Sequence, residues 1–370
     1  MMGALDGLEG VVAAETVLSE VDGDAGRLLI RGHAVDEIAG SWSFEDVLTL
    51  LWGGFFPDLP ADSRAALGLA RQAVFAEVAR LDTDLARQSP VEATRALIAR
   101  LPDGDDVSLA FGLAAAPAVF TAAVLRRQAG LSPVAPDPAL GHAADVLRMT
   151  RGEPGHIAEV AALDAYLVTV ADHGLNASTF AARVVASTRA GLTSAVISGL
   201  SALKGPLHGG APGPVIEMLD GVAVAGDARA WLEAALDRGD RLMGFGHRVY
   251  RVRDPRADAL KRAVRALAAA RPPRGAATAS AGRLALAEAV EAAALAVLRE
   301  RKPDRSLDTN VELYTALLLE ALAFPPSAFT CVFAIGRVAG WIAHAREQLA
   351  GGRLVRPQSR YVGPRPHLAA

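Results

Sequence analysis

Three histidines stand beside or close to glycines in turn-prone stretches: His173 in A-D-H-G-L-N-A-S-T, His208 in K-G-P-L-H-G-G-A-P-G, and His247 in G-F-G-H-R-V-Y-R-V-R-D-P-R. Glycine near an imidazole lets backbone and ring approach a ligand together, and histidine is the commonest acid or base near neutral pH. A carboxylate, Glu312 in T-N-V-E-L-Y, sits where the polar run R-K-P-D-R-S-L-D gives way to T-A-L-L-L-E-A-L-A-F. It reads either as a helix-start charge, favoured at the positive end of a helix, or as a base aimed at a ligand. Taken singly, each histidine reads more readily as a helix cap or a satisfied buried group; three together point to acid–base chemistry. Arg248, Arg251, Arg253 and Arg256 follow His247, and Arg353 and Arg356 stand in G-G-R-L-V-R-P-Q-S-R-Y. A planar guanidinium grips a carboxylate through two parallel hydrogen bonds, which suits a di- or tricarboxylate substrate. The plainer reading of such a run is a solvated charged face.

Other chemistries find no support. No H-E-x-x-H or H-x-x-x-H spacing occurs, and Cys331 is the single cysteine. Thiolate-rich zinc sites and an intrachain disulfide are thereby excluded, and Cys331, within A-F-T-C-V-F-A-I, reads as a packed thiol. G-P-L-H-G-G-A-P-G lacks the G-K-[ST] of a phosphate loop, G-F-G-H-R-V lacks the third glycine of a dinucleotide fingerprint, and no G-x-S-x-G elbow is present. We therefore expect no metal and no tightly bound cofactor. A net charge of −3 carries no basic excess, which argues against a nucleic-acid partner.

These residues need a scaffold, and the pattern is mainly helical. Val290, Ala294, Val297 and Leu298, then Leu260, Val264 and Leu267, recur at helical spacing, and Trp231, Leu232, Ala235 and Leu236 mark a further face. Ser43 ahead of Glu45–Asp46, and Asp254 ahead of Pro255, signal helix starts. The opening E-T-V-L-S-E-V-D-G-D-A-G-R-L-L-I-R-G reads as two short strands around a D-G-D-A-G turn. Breakers cluster at 131–138, 205–214 and 271–275. With 370 residues, half of them apolar, the chain has room for two or three domains and a sizeable core. Residues 107–125 come nearest to a membrane span. With Ser108, Gly112, Pro117 and Thr121 inside, they read as two packed helices meeting near Pro117, and nothing comparable follows. The first ten residues show neither a basic nor an apolar signal region. A soluble cytoplasmic protein without a membrane partner is expected.

G-P-L-H-G-G-A, G-F-G-H-R-V-Y-x-x-x-D-P-R, N-V-E-L-Y and G-R-V-A-G-W-I-A-H, with D-H-G-L-N-A-S-T-F, the N-terminal G-L-E-G-V-V-A-A-E-T and the terminal R-P-Q-S-R-Y-V-G, resemble the signature segments of the citrate synthase family. They run in family order along nearly the whole chain. The resemblance implies a mainly α, multihelical homodimer with a minor N-terminal β element. Its large domain would comprise residues 1–209 and 324–370, with a small domain, 210–323, inserted between them and closing over the substrates. The implied reaction joins acetyl-CoA to oxaloacetate and hydrolyses citryl-CoA to citrate and CoA, with CoA as a co-substrate.

Carried over position by position, the resemblance makes His208 the donor to the acetyl carbonyl oxygen, Glu312 the base that takes a methyl proton, and His247 the group polarising the oxaloacetate ketone. His173 matches a further oxaloacetate-binding histidine, and Arg256 and Arg337 match arginines that grip substrate carboxylates. Arg356 matches an arginine supplied across the dimer interface, and Arg251 falls where the family contacts CoA phosphates. Two positions depart from the family pattern. Glu312 stands where the family base is usually aspartate, a reach longer by roughly 1.5 Å, and misplacement by about 1 Å can lower a rate on the order of a hundredfold. Val170 stands where many bacterial members have a second histidine. Two alternatives stay beside citrate synthase: a 2-methylcitrate synthase using propionyl-CoA, since one methylene gives only about 1–3 kcal/mol of discrimination, and a non-catalytic acyl-CoA or dicarboxylate binder.

Overall fold

The structure, a computed structural model, describes residues 7–8, 10–209, 212–247, 249–270 and 276–364. The N-terminal hairpin forms as the sequence predicts and gains a third strand. β1 (Ser19–Asp22), β2 (Arg27–Ile30) and β3 (His33–Ala34) pair antiparallel in that order, with Ser19 opposite Ile30 and Asp22 opposite Arg27. The Asp22 carboxylate closes the first turn by accepting from the Asp24 and Ala25 N–H groups at 3.2 and 2.9 Å, the local bond that makes aspartate a turn residue.

Helices supply the rest. The first group is α1 (Val35–Ile38), α2 (Phe44–Trp52), α3 (Ser63–Phe75), α4 (Thr83–Ala86), α5 (Pro90–Ile98) and α6 (Val107–Gln128). Next come α7 (His142–Arg151), α8 (Ile157–Val170), α9 (Ala177–Ser187) and α10 (Leu192–Leu203). The last group is α11 (Pro212–Ala225), α12 (Ala228–Asp237), α13 (Pro255–Ala270), α14 (Ala276–Arg301), α15 (Val311–Ala321) and α16 (Phe329–Gly351). The predicted start at Ser43 is a reciprocal cap, Ser43 bonding the Asp46 N–H while Asp46 bonds the Ser43 N–H. α11, α12, α14 and α15 pack on one another, and α13 joins them to α8.

Three expectations need correcting. Residues 107–125 belong to one helix, α6, which continues through Pro117. The missing N–H at Pro117 breaks one helical bond, but α6 is buried between α3, α5, α7 and α16, and tertiary packing outweighs that loss. A second stretch long and apolar enough to cross a membrane does follow, over Pro326–Gly351, and both helices are mostly buried in the chain's own core. The breakers at 205–214 also divide: turns extend to Gly209, and Pro212 opens α11. Those at 271–275 lie outside the described residues.

α16 runs through the core against α2, α6, α8, α9 and α10. Its G-R-V-A-G-W segment explains the closeness. A Cβ on Gly336 would lie 2.8 Å from the Leu167 carbonyl oxygen, and one on Gly340 2.3 Å from that of Ala171. The two glycines, one turn apart, let α16 lie directly on the C-terminal end of α8. Between them Arg337 reaches the Val170 carbonyl through Nε at 2.5 Å.

Candidate active site

A cavity of about 940 Å³ brings together His173, His208, His247, Arg251, Arg256, Glu312 and Arg337. Arg356 is not among them. It lies exposed on the extended segment after α16, as does Arg353. Arg248 lies outside the described residues. Arg253 turns from the cavity into ion pairs with Asp258 and Glu291, so the arginine run after His247 is divided between the cavity wall and structural ion pairs.

The loop carrying His247 is stitched to the start of α15. Gly244 and Gly246 adopt φ of 88° and 79°, a region closed to most side chains. Between them Phe245 bridges antiparallel to Thr309. The Gly246 N–H bonds the Asp308 carbonyl at 2.7 Å, and the Asn310 N–H bonds that of Gly244 at 2.9 Å. Asn310 then caps α15 through the Glu312 N–H at 2.9 Å. Both readings of Glu312 therefore meet in one residue: it occupies the first turn of a helix, and it lines the cavity. Burial pushes its carboxyl up to about 7, while Arg256, Arg241 and the Gly244 N–H pull the other way.

His247 Nδ1 accepts the N–H groups of Val249 and Tyr250 at 3.0 and 3.1 Å. Its proton therefore sits on Nε2, 3.4 Å from Arg256 Nη2. Two donors so placed do not bond each other; they converge on an acceptor, the requirement for polarising a carbonyl. Asp254 fixes this arrangement by accepting from Arg256 Nε and Nη2 at 3.0 and 2.8 Å and from the Val311 N–H at 3.2 Å.

His208 Nε2 lies 2.9 Å from Ser178 Oγ, which also accepts the Trp341 indole N–H at 3.1 Å. Asn176 caps α9 with its Oδ1 on the Ser178 and Thr179 N–H groups, and the same oxygen lies 2.7 Å from Ser178 Oγ, so the serine hydroxyl has two acceptors within reach, Asn176 Oδ1 and His208 Nε2. When Ser178 donates to His208 Nε2, the imidazole keeps its proton on Nδ1 and remains a neutral donor. Burial, reinforced by Arg337 and Arg256, lowers His208 to about 4. Burial and Arg256 bring His247 to about 4 as well. His173 is held well below its usual value by burial, Arg256 and His247. At neutral pH all three act as uncharged imidazoles.

Arg337 is buried, and among the described residues its Nη2 has no hydrogen-bond partner. Burial and the nearby Arg256 lower its guanidinium to about 10. A buried guanidinium with one unsatisfied nitrogen beside a second arginine calls for an anion. At the cavity wall Arg241, Lys302 and Arg305 add positive charge. Lys302 and Arg305 come from the polar run before T-N-V-E-L-Y, where sequence reasoning found only a boundary. Asn176, Ser178, Trp341 and Asp254 were also missed. Asn176 before A-S-T carried a helix-cap signal, whereas the Ser178–Trp341 contact joins positions 163 residues apart.

The family model described as citrate synthase, C-terminal domain, matches residues 7–358. A citrate synthase of Haloferax volcanii is 39% identical over 378 residues, spanning 96% of this chain and 95% of that protein. A 2-methylcitrate synthase of Mycobacterium tuberculosis is 36% identical over 370 residues, spanning 96% and 90%. Among solved structures, the ternary complex of carboxymethyl coenzyme A and oxaloacetate with citrate synthase from Thermoplasma acidophilum superposes with a TM-score of 0.84 at 26% identity, covering 99% of this chain and 97% of that one.

Proposed function

The chain belongs to the citrate synthase family and is an acyl-transferring enzyme, and from that premise we propose that it condenses acetyl-CoA with oxaloacetate and hydrolyses citryl-CoA to citrate and CoA. One observation carries the reading: a carboxyl held near 7, Glu312, shares a cavity with three neutral histidines and the buried Arg256 and Arg337. A thioester methyl is a very weak acid, so a carboxylate removes its proton only if the enolate oxygen is stabilised as it forms. Glu312 takes the methyl proton and His208 donates to the oxygen. His247 with Arg256 polarises the oxaloacetate ketone, and the enol carbon attacks it. His173 and Arg337 hold the carboxylates, and water then cleaves the thioester to citrate and free CoA. Arg251, with Arg241, Lys302 and Arg305 on the wall of the same cavity, faces the CoA phosphates.

We further propose the inserted small domain, 210–323, closing on the remainder, and a homodimer in which the exposed Arg356 reaches the neighbouring site. Its place outside its own chain's cavity supports that assignment. The 36% identity to a 2-methylcitrate synthase favours propionyl-CoA as a second substrate reading. Release of CoA thiol, dependent on oxaloacetate and measured with both acyl-CoAs, tests these readings. The thiol is expected from acetyl-CoA; a higher kcat/KM with propionyl-CoA favours the second reading, and no thiol from either overturns both.

A further inference from the structure

The N-terminal hairpin, read from the sequence as a D-G-D-A-G turn between strands, touches both loops that carry the oxo-acid histidines. At one end Ser19 of β1 donates to Asp172 Oδ2 at 2.6 Å and accepts the Gly174 N–H at 2.9 Å, gripping the residues on either side of His173. At the other end the turn lies on residues 249–253, just beyond His247. The Gly23 carbonyl accepts the Arg251 N–H at 2.8 Å. A Cβ on Gly23 would stand 2.2 Å from the Val249 carbonyl oxygen, and one on Gly26 2.6 Å from Val252 Cγ2. Between the two ends, Val21 lines the cavity and lies against Gly174. The two loops also meet directly, where Tyr250 approaches His173 Nε2 to 3.1 Å through its hydroxyl and His247 to 4.8 Å between rings.

We propose that this hairpin is a working part of the site, a bracket that sets the spacing of the His173 loop from the His247 loop and thereby the affinity for the oxo acid. Ser19, Gly23 and Gly26 are positioning residues in this scheme, since none of them lines the cavity. A four-residue strand is a short lever. Its Ser19 end is fixed by two hydrogen bonds, and at its Gly23 end contact is so close that only hydrogen fits. A displacement at either end therefore passes to the other through the paired β1–β2 ladder. The kinetic part of the proposal rests on the function proposed above; the mechanical part does not.

Gly23→Ala and Ser19→Ala test it. Gly23 does not occupy the left-handed region, so alanine there acts through the clash with Val249 and not through its own backbone, while Ser19→Ala removes two hydrogen bonds and adds no bulk. Hydrogen exchange on the intact chain reads the mechanics. Gly23→Ala is expected to speed exchange at 173–175 as well as at 249–253, and Ser19→Ala to do the same from the other end. Exchange confined to the mutated end overturns the bracket whether or not the chain turns over acyl-CoA. In thiol release, both variants are expected to raise KM for oxaloacetate, Gly23→Ala by roughly tenfold to a hundredfold and Ser19→Ala by several-fold, with kcat per folded molecule falling far less. An unchanged KM in both, or a loss of kcat that merely tracks unfolded protein, overturns the functional role. Absence of thiol release by the wild type defeats the proposed reaction and leaves the exchange result to decide the bracket.

Discussion

Glu291 and Glu312 lie on neighbouring helices, α14 and α15, and their surroundings drive them in opposite directions. Glu291 accepts from Arg253 and Thr309 at 2.8 Å each, Lys261 at 2.7 Å and Tyr314 at 2.6 Å. These donors outweigh burial and draw its carboxyl down to about 2. Glu312 has the Gly244 N–H and two arginines acting on it, and burial prevails, leaving it at about 7. The satisfied carboxylate joins the Arg253 loop, α13 and the start of α15 into one frame. The under-satisfied one is presented to the cavity by that frame. Burial alone thus does not separate a structural acid from a functional one; the number of donors that meet it does.

Exchanging each carboxylate for its amide should break the comparison most sharply. Glu312→Gln is expected to lower kcat for oxaloacetate-dependent thiol release by about 10²- to 10⁴-fold, the usual range for a general base, with no loss of unfolding free energy. Glu291→Gln strands Lys261 and leaves Arg253 with Asp258 alone, and urea unfolding should register a loss of about 3 kcal/mol, the lower end for removing one partner of a buried ion pair.

The pH dependence of stability comes next, at up to about 3 kcal/mol for either group. Glu312 is raised in the folded state, so its stabilising contribution is complete below the unfolded carboxylate range and fades as pH climbs through about 7. Glu291 is depressed, so its contribution holds above that range and is lost as pH falls toward about 2. Urea midpoints of wild type minus Glu312→Gln, and of wild type minus Glu291→Gln, should slope in opposite directions with pH; parallel slopes would show that the two environments do not differ as described. The smallest effect is expected of Glu312→Asp. Shortening the arm in a frame built for glutamate should lower kcat roughly tenfold, within the sensitivity to about 1 Å of misplacement, and an increase would mean the frame fits aspartate better.

The same contrast marks what was legible in the sequence. Local chemistry wrote itself plainly: Ser43 with Asp46, the Asp22 turn, the two glycines ahead of His247, and the helical spacing of Leu260, Val264 and Leu267, all buried in α13. The cavity-lining histidines, Arg256 and Glu312 carried their signal in short motifs. Glu291 did not, because its donors arrive from Arg253 and Thr309, 38 residues before and 18 after it. Ser178 with Trp341 was hidden for the same reason. Pro117 misled because its local preference is real, but the packing around α6 is stronger.

The central claim, that Glu312 is the base and is tuned near neutrality, is tested most directly by the pH dependence of kcat/KM for acyl-CoA at saturating oxaloacetate. With oxaloacetate bound, kcat/KM reports the ionisations of the complex that meets acyl-CoA. His208 and His247 lie at about 4 and His173 well below its usual value, so the carboxyl alone among these four titrates in the neutral range. Thiol release should rise with unit slope from pH 5.5 and level off near pH 7, following the carboxyl value of about 7. A rate already flat across that interval in an enzyme that turns over would contradict the assignment.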